Sequence, residues 1–209
     1  LKAYGPQHWW PGRTRFEVIV GAILTQSTSW LNVELAIAAL RREKLLSPLA
    51  LERVSLVRLS RLIRSSGYFR QKARKLKAFV HFLRKKYRGS LDRMFATPTS
   101  KLREQLLGVH GIGPETADSI LLYAGNHPVF VVDAYTRRIL ERHQLERGKQ
   151  SYEEIQRLFE KSLPASAPLF NEYHALIVHT GKHFCRKIAP RCNECALKLF
   201  LPAAVEARP

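Results

Sequence analysis

Residues 106–117 read LLGVHGIGPETA and carry the clearest structural signal in the chain. Gly111 and Gly113 stand in a short turn between two segments whose apolar residues have helical spacing, and Pro114 presets the first turn of the second helix. Because glycine has no Cβ, the backbone can approach a ligand closely, and the amides that start the next helix point outward together. The stretch therefore predicts two helices joined by a glycine turn that can hold a phosphate.

The charge of the chain favours a polyanionic partner. Its 209 residues include 35 Lys and Arg against 17 Asp and Glu, a net charge of +18, with 45% hydrophobic and 25% charged residues. Lysine and arginine bind phosphate backbones regardless of sequence, because binding releases condensed counterions. The longest apolar run, residues 18–24, is far too short to span a membrane. We expect a folded, monomeric nucleic-acid-binding protein in the cytoplasm, associated with the nucleoid and with no membrane partner.

The rest of the chain predicts an all-α fold. Only residues 128–132 alternate with period two, and residues 70–88 carry nine basic residues and no acidic one, which predicts a helix flanking DNA. The predicted helices span residues 15–26, 29–42, 55–65, 70–87, 99–107, 114–124, 133–143, 152–162 and 169–182.

A second informative block, residues 129–140, reads VFVVDAYTRRIL and leads from apolar residues into Asp133 at a predicted helix start. An aspartate in this place caps the helix or presents its carboxylate to a ligand. Three further informative stretches lie before and after this block: FEVIVGAILTQ at 16–26, GYFRQKA at 67–73 and NEYHALI at 171–177. In this combination the chain resembles the helix-hairpin-helix DNA glycosylase superfamily, whose best-known member is endonuclease III.

The resemblance implies a bilobal all-α fold. A six-helix barrel with the hairpin would span residues 14–127, and residues 1–13 and 128–209 would form a second helical lobe. The implied partner is double-stranded DNA with damaged bases, from which the target nucleotide is flipped out. Asp133 would be catalytic, Gln26 would fill the vacated stack and Tyr68 would wedge the opposite strand. The implied DNA-binding residues are Gln26, Tyr68, Arg70, Lys72, Gly111, Ile112, Gly113 and Thr116.

One departure from the family pattern bears on the chemistry. Bifunctional members carry a nucleophilic lysine two residues after the second hairpin glycine, where this chain has Glu115. A carboxylate cannot form the Schiff base that leads to strand cleavage. We therefore expect a monofunctional enzyme, in which Asp133 stabilises the sugar cation and orients water, with no cofactor required for the chemistry.

The tryptophans suggest the damaged base. Trp9, Trp10 and Trp30 supply electron-rich rings that favour a flat cationic ligand, and the Trp9-Trp10-Pro11 block resembles the 3-methyladenine branch of the superfamily. The expected base pocket comprises Trp9, Trp10, Trp30, Glu115 and Lys182, and the expected substrates are alkylated purines such as 3-methyladenine. Two alternatives stay open: an endonuclease III-like enzyme for mismatched or oxidised bases, and a non-catalytic DNA-binding protein.

The last motif in the sequence is a group of three cysteines between residues 185 and 195. The endonuclease III pattern implies a [4Fe-4S] cluster held by four cysteines, and Cys185, Cys192 and Cys195 match its first two gaps. The fourth position is Leu201, which argues against an intact cluster.

Overall fold

The computed structural model describes residues 1–7, 9–10, 12–145 and 150–202. Every regular element in these ranges is helical, as the sequence predicts. Eleven α-helices occur there, with three short 3-10 turns and one π-helical turn at Ile120–Ala124 between and after them. The α-helices are α1 Arg15–Leu24, α2 Trp30–Arg42, α3 Pro48–Arg53, α4 Leu56–Leu62, α5 Phe69–Tyr87, α6 Leu91–Phe95, α7 Thr99–Leu107, α8 Pro114–Ser119, α9 Ala134–Arg142, α10 Tyr152–Ser162 and α11 Ala167–His183.

Local capping explains several of these bounds. Thr14, Ser47, Ser55 and Ser151 each accept a hydrogen bond from a backbone N–H in the first turn of the helix that follows. Helix α11 begins two residues earlier than predicted, because Ser166 accepts from the backbone N–H of the third helical residue. Residues 128–132, which alternate with period two, form no regular element.

The chain divides into two compact units. The central unit is Trp10–His127, and the terminal unit joins Leu1–Trp9 to Pro128–Pro209. Among the described residues, no helix is both long and apolar enough to cross a membrane.

In the central unit, α1 and α5 carry most of the core. Nine of the ten residues of α1 are buried, including Glu17, whose carboxylate pairs with Arg41 at 2.6 Å. Helix α5 packs against α1, α3, α4 and α6. Its buried apolar face follows the three- and four-residue spacing that the sequence shows: Ala73, Leu76, Phe79, Val80, Leu83 and Tyr87.

In the terminal unit, α9 packs on α11 at a glycine. A Cβ at Gly181 would lie 2.7 Å from Tyr135 Cβ, so only glycine lets the two helices come this close. The guanidinium of Arg138 donates to the carbonyls of Gly181 and Cys185 at the end of α11. The Phe130 ring stacks on Phe159 with centroids 4.0 Å apart, which fixes the segment that leads into α9.

Candidate active site

Asp133 is the N-cap of α9, and its two carboxylate oxygens have different surroundings. Oδ1 accepts from the backbone N–H of Thr136 at 2.7 Å and from the Thr136 hydroxyl at 2.9 Å. Oδ2 lies 3.6 Å from His174 Nε2 on α11, beyond normal hydrogen-bond distance. The side chain retains 13% exposure, so the carboxylate is fixed by one oxygen while remaining in contact with solvent.

His174 is the nearest titratable neighbour of this carboxylate. It is 4% exposed, and burial lowers its pKa although the Asp133 carboxylate raises it in part. The net direction is downward, so the imidazole is neutral near pH 7. A neutral ring leaves the negative charge of Asp133 uncancelled, which suits a group that has to stabilise a developing cation.

The glycine turn joins α7 to α8 as the sequence predicts. Gly111 has a φ of +81°, the left-handed region that favours glycine, and Gly113 caps α8 without a side chain. A buried ion pair ties the two helices, since Arg103 Nε and Nη2 donate to the two oxygens of Asp118 at 2.7 and 3.0 Å. The turn is therefore held by a rigid pair of helices.

Gln26 lies on this turn. Its Nε2 donates to the Gly111 carbonyl at 3.1 Å and to the Thr116 hydroxyl at 2.9 Å, and Lys75 Nζ donates to its Oε1. The role in the vacated base stack that the family implies for Gln26 stays a prediction.

Three of the predicted DNA-binding residues are buried. Lys72 is 2% exposed, and its ammonium donates to the carbonyls of Leu24 at 2.9 Å and Ser66 at 2.5 Å. Thr116 is 6% exposed with its hydroxyl engaged by Gln26. Ile112 is 4% exposed, and its N–H is used inside the turn by the carbonyl of Val109. The roles of these three residues at DNA stay predictions.

Three of the other predicted DNA-binding residues are exposed. Arg70 and Gly113 are exposed, and Tyr68 is 68% exposed in a left-handed backbone conformation with a φ of 44°. An exposed aromatic ring held in a conformation unusual for a non-glycine residue is a feature often found at functional sites.

Three aromatic rings of the central unit meet above a glycine. The Trp10 ring lies edge-on to Trp30 at 5.2 Å and tilted to Tyr123 at 4.9 Å between centroids. A Cβ at Gly21 would lie 3.3 Å from Trp10 Nε1 and 3.6 Å from Trp30 Cη2, so the rings use the space that the glycine leaves. Tyr123, which the sequence reading missed, comes from the π-helical turn. We call Trp10, Trp30, Tyr123 and Gly21 the aromatic cluster.

Three of the predicted pocket residues are not among the rings of this cluster: Trp9, Lys182 and Glu115. Trp9 belongs to the terminal unit and is half-buried, and Lys182 is exposed near the end of α11 in the same unit. Glu115 is exposed in the first turn of α8. Their roles at a base stay predictions.

The three cysteines line one pocket of the terminal unit. Arg142 Nη1 donates to the Cys185 sulfur at 3.1 Å, and Leu201 lines the same pocket. Three thiols and an aliphatic side chain do not supply the four ligands of a [4Fe-4S] cluster. Within the described residues, no three His, Cys, Asp or Glu side chains are grouped as a metal ion requires. The residues therefore do not fit a four-cysteine cluster, and we assign no role to one.

An all-helical chain with a glycine hairpin, a carboxylate at the head of a helix and a strong positive charge has the features of a DNA repair glycosylase. The chain belongs to the HhH-GPD superfamily of base excision DNA repair proteins, whose family model matches residues 20–165. The resemblance and the all-α fold expected from the sequence are thereby confirmed.

Individual relatives agree with this assignment. The chain is 48% identical over 202 residues to the "Putative DNA repair glycosylase MJ1434" of Methanocaldococcus jannaschii, covering 96% of this chain and 91% of that protein. A trapped endonuclease III–DNA covalent intermediate superposes with a TM-score of 0.82 at 25% identity, covering 96% of this chain and 89% of that one. The 3-methyladenine DNA glycosylase of H. pylori, solved with 1,N6-ethenoadenine, gives a TM-score of 0.74 at 28% identity, covering 86% and 90%. The chain is thus a DNA glycosylase of base excision repair that acts on N-glycosyl bonds.

Proposed function

We propose that this chain is a monofunctional DNA glycosylase that removes alkylated purines such as 3-methyladenine. The observation that carries the proposal is the aromatic cluster, in which two indoles and a phenol converge above Gly21. N3- and N7-methylated purines are flat cations, and electron-rich rings attract such ligands by stacking and by cation–π interaction, worth roughly 0.5–2 kcal/mol. The likeness to the H. pylori 3-methyladenine enzyme supports the same substrate class.

The proposed chemistry is hydrolysis assisted by Asp133. As the bond from C1′ to the base nitrogen breaks, its electron pair goes to the base, so a cationic purine leaves as a neutral molecule without a general acid. The sugar acquires oxocarbenium character, which the Asp133 carboxylate stabilises. Water then forms the new bond to C1′ and loses its proton to the carboxylate or to solvent. A single fixed carboxylate suffices for so good a leaving group.

The hairpin would hold the DNA while this occurs. Gly113 is the N-cap of α8 and has open space beside it, so a phosphate could approach the backbone of the turn closely. Exposed cations of α5, among them Arg70, Arg74 and Arg84, would add contacts that do not depend on sequence.

Glu115 supports the monofunctional assignment, because it stands where the lysine of bifunctional members is expected. Borohydride reduces a Schiff base to a stable covalent adduct. We expect no protein–DNA adduct when the chain excises its base in the presence of borohydride, with an endonuclease III as the positive control. An efficient adduct would contradict this part of the proposal.

The second candidate is an endonuclease III-like enzyme for oxidised or mismatched bases, favoured by the similarity to the endonuclease III–DNA intermediate. A substrate panel separates the two. We would measure single-turnover release of 3-methyladenine and 7-methylguanine from methylated DNA, beside excision from duplexes with an oxidised pyrimidine, 8-oxoguanine or a G·T mismatch. The proposal predicts that methylpurines are released roughly tenfold faster or more than the other bases. Fastest excision of an oxidised pyrimidine would favour the second candidate.

A further inference from the structure

The side chain of Lys75 crosses the glycine turn of the hairpin. A Cβ at Gly111 would lie 2.6 Å from Lys75 Cδ and 2.7 Å from Cε, so the lysine stem occupies the space that glycine leaves. Lys75 is half-buried, whereas Arg74 beside it is exposed.

The Lys75 ammonium ends on the carboxamide of Gln26. Nζ donates to Gln26 Oε1, while Gln26 Nε2 donates to the Gly111 carbonyl and the Thr116 hydroxyl. An ammonium can only donate, so it fixes which end of the amide is oxygen and turns both amide hydrogens toward the hairpin. Hydrogen bonds from charged donors are stronger than neutral ones. Lys75 therefore sets the orientation of Gln26 on the hairpin.

We propose that Lys75 is a positioning residue that acts on DNA through Gln26 and does not bind a phosphate itself. The proposal rests on the function proposed above, in which the hairpin holds the DNA, and on the DNA contact predicted for Gln26. Helix α5 then carries two sets of cations. Lys72, Lys75 and Lys77 turn inward onto protein oxygens, while Arg70, Arg74, Arg84, Lys85, Lys86 and Arg88 are exposed.

The competing account is that Lys75 leaves Gln26 on binding and pairs with a phosphate. The two accounts differ in the salt dependence of binding. Loss of one phosphate contact lowers the slope of log K against log salt by about 1, whereas loss of a positioning residue leaves that slope unchanged. The comparison uses Lys75→Met, which keeps the methylene stem, with Arg74→Met as the matched control.

The experiment has three measurements on the full chain. The first is the NMR signal of the Gln26 side-chain amide in the free protein, which Lys75→Met should shift and deprotect while Arg74→Met should not. The second is the salt slope on undamaged duplex, which Arg74→Met should lower and Lys75→Met should not. The third is single-turnover base excision, which Lys75→Met and Gln26→Ala should each reduce roughly tenfold, with no further loss in the double variant.

A lower salt slope for Lys75→Met, together with an unchanged Gln26 signal, overturns the proposal. Additive losses in the double variant also overturn it. Should Lys75→Met not fold, Gln26→Ala decides alone. Excision by Gln26→Ala at the wild-type rate would overturn the proposal, because Lys75 could then not act through Gln26. If the chain excises no base at all, the proposed function fails, while the NMR and salt measurements still decide the role of Lys75.

Discussion

Replacing Lys72 by methionine should change the stability of the protein in a pH-dependent way without removing a DNA contact. Methionine fills much of the same space but leaves the carbonyls of Leu24 and Ser66 without their ammonium donor, and an unpaired buried acceptor costs about 1–3 kcal/mol. Against this, burial and the nearby Lys75 charge lower the pKa of Lys72 from 10.5 to about 8. Methionine carries no charge and so removes the cost of burying the ammonium, which offsets roughly 3 kcal/mol of the loss in stability. The two acceptors together cost about 2–6 kcal/mol, so the variant should lose at most about 3 kcal/mol near pH 7.

The pH dependence gives this prediction a definite sign. Between pH 8 and 10.5 the unfolded chain keeps the Lys72 proton that the folded chain has lost, so wild-type stability gains from rising pH. The methionine variant lacks this gain, and its deficit should grow by up to about 3 kcal/mol as the pH rises through that range.

Urea unfolding at pH 7 and 9.5, with Arg74→Met as the exposed control, measures the difference in unfolding free energy. A deficit that shrinks with pH, or a lower salt slope of duplex binding for Lys72→Met, would refute the reasoning.

Three further predictions concern the core, the carboxylate neighbour and the base pocket. Asp118→Ala breaks the buried pair with Arg103 and should cost about 3–5 kcal/mol in urea unfolding, whereas Asp92→Ala at the exposed pair with Arg15 should cost under about 1; equal costs would contradict this. Because burial lowers the pKa of His174, its contribution to stability should be present above pH 6.5 and be lost as the pH falls below it, and His174→Gln should remove this part of the decline in urea midpoints between pH 7.5 and 5.5. An unchanged decline in that variant would assign it to other groups. Trp10→Ala should slow methylpurine excision roughly tenfold while duplex binding changes far less, and equal losses of both would indicate a structural role.

The features that the sequence predicted well are local. The glycines of the hairpin, the cap at Asp133 and the apolar spacing of α5 each depend on a few neighbouring residues, so their patterns are visible in the chain. The contacts of the inward lysines were not predictable, because helical spacing places Lys72 on the buried face but does not show which distant carbonyls its ammonium reaches. Tyr123 was missed for a related reason, since no sequence signal marks the π-helical turn that aims its ring.

The cysteines are a case in which spacing is informative but does not reveal the contacts of the side chains. Their spacing matches the first two gaps of the family pattern, and the three thiols and Leu201 line one pocket. Spacing alone could not show that an arginine side chain, Arg142, donates to one of those sulfurs. Iron content and visible absorbance of the purified protein test the cluster directly.

Single-turnover excision by Asp133→Asn tests the central claim most directly. Asparagine caps a helix as well as aspartate, so its side-chain oxygen can still accept from Thr136 and the fold should be kept. We predict that stability and affinity for the damaged duplex stay near those of the wild type while excision slows roughly a hundredfold or more, because the charge that stabilises the sugar cation is gone. A folded Asp133→Asn variant that excises its base at the wild-type rate would contradict the account.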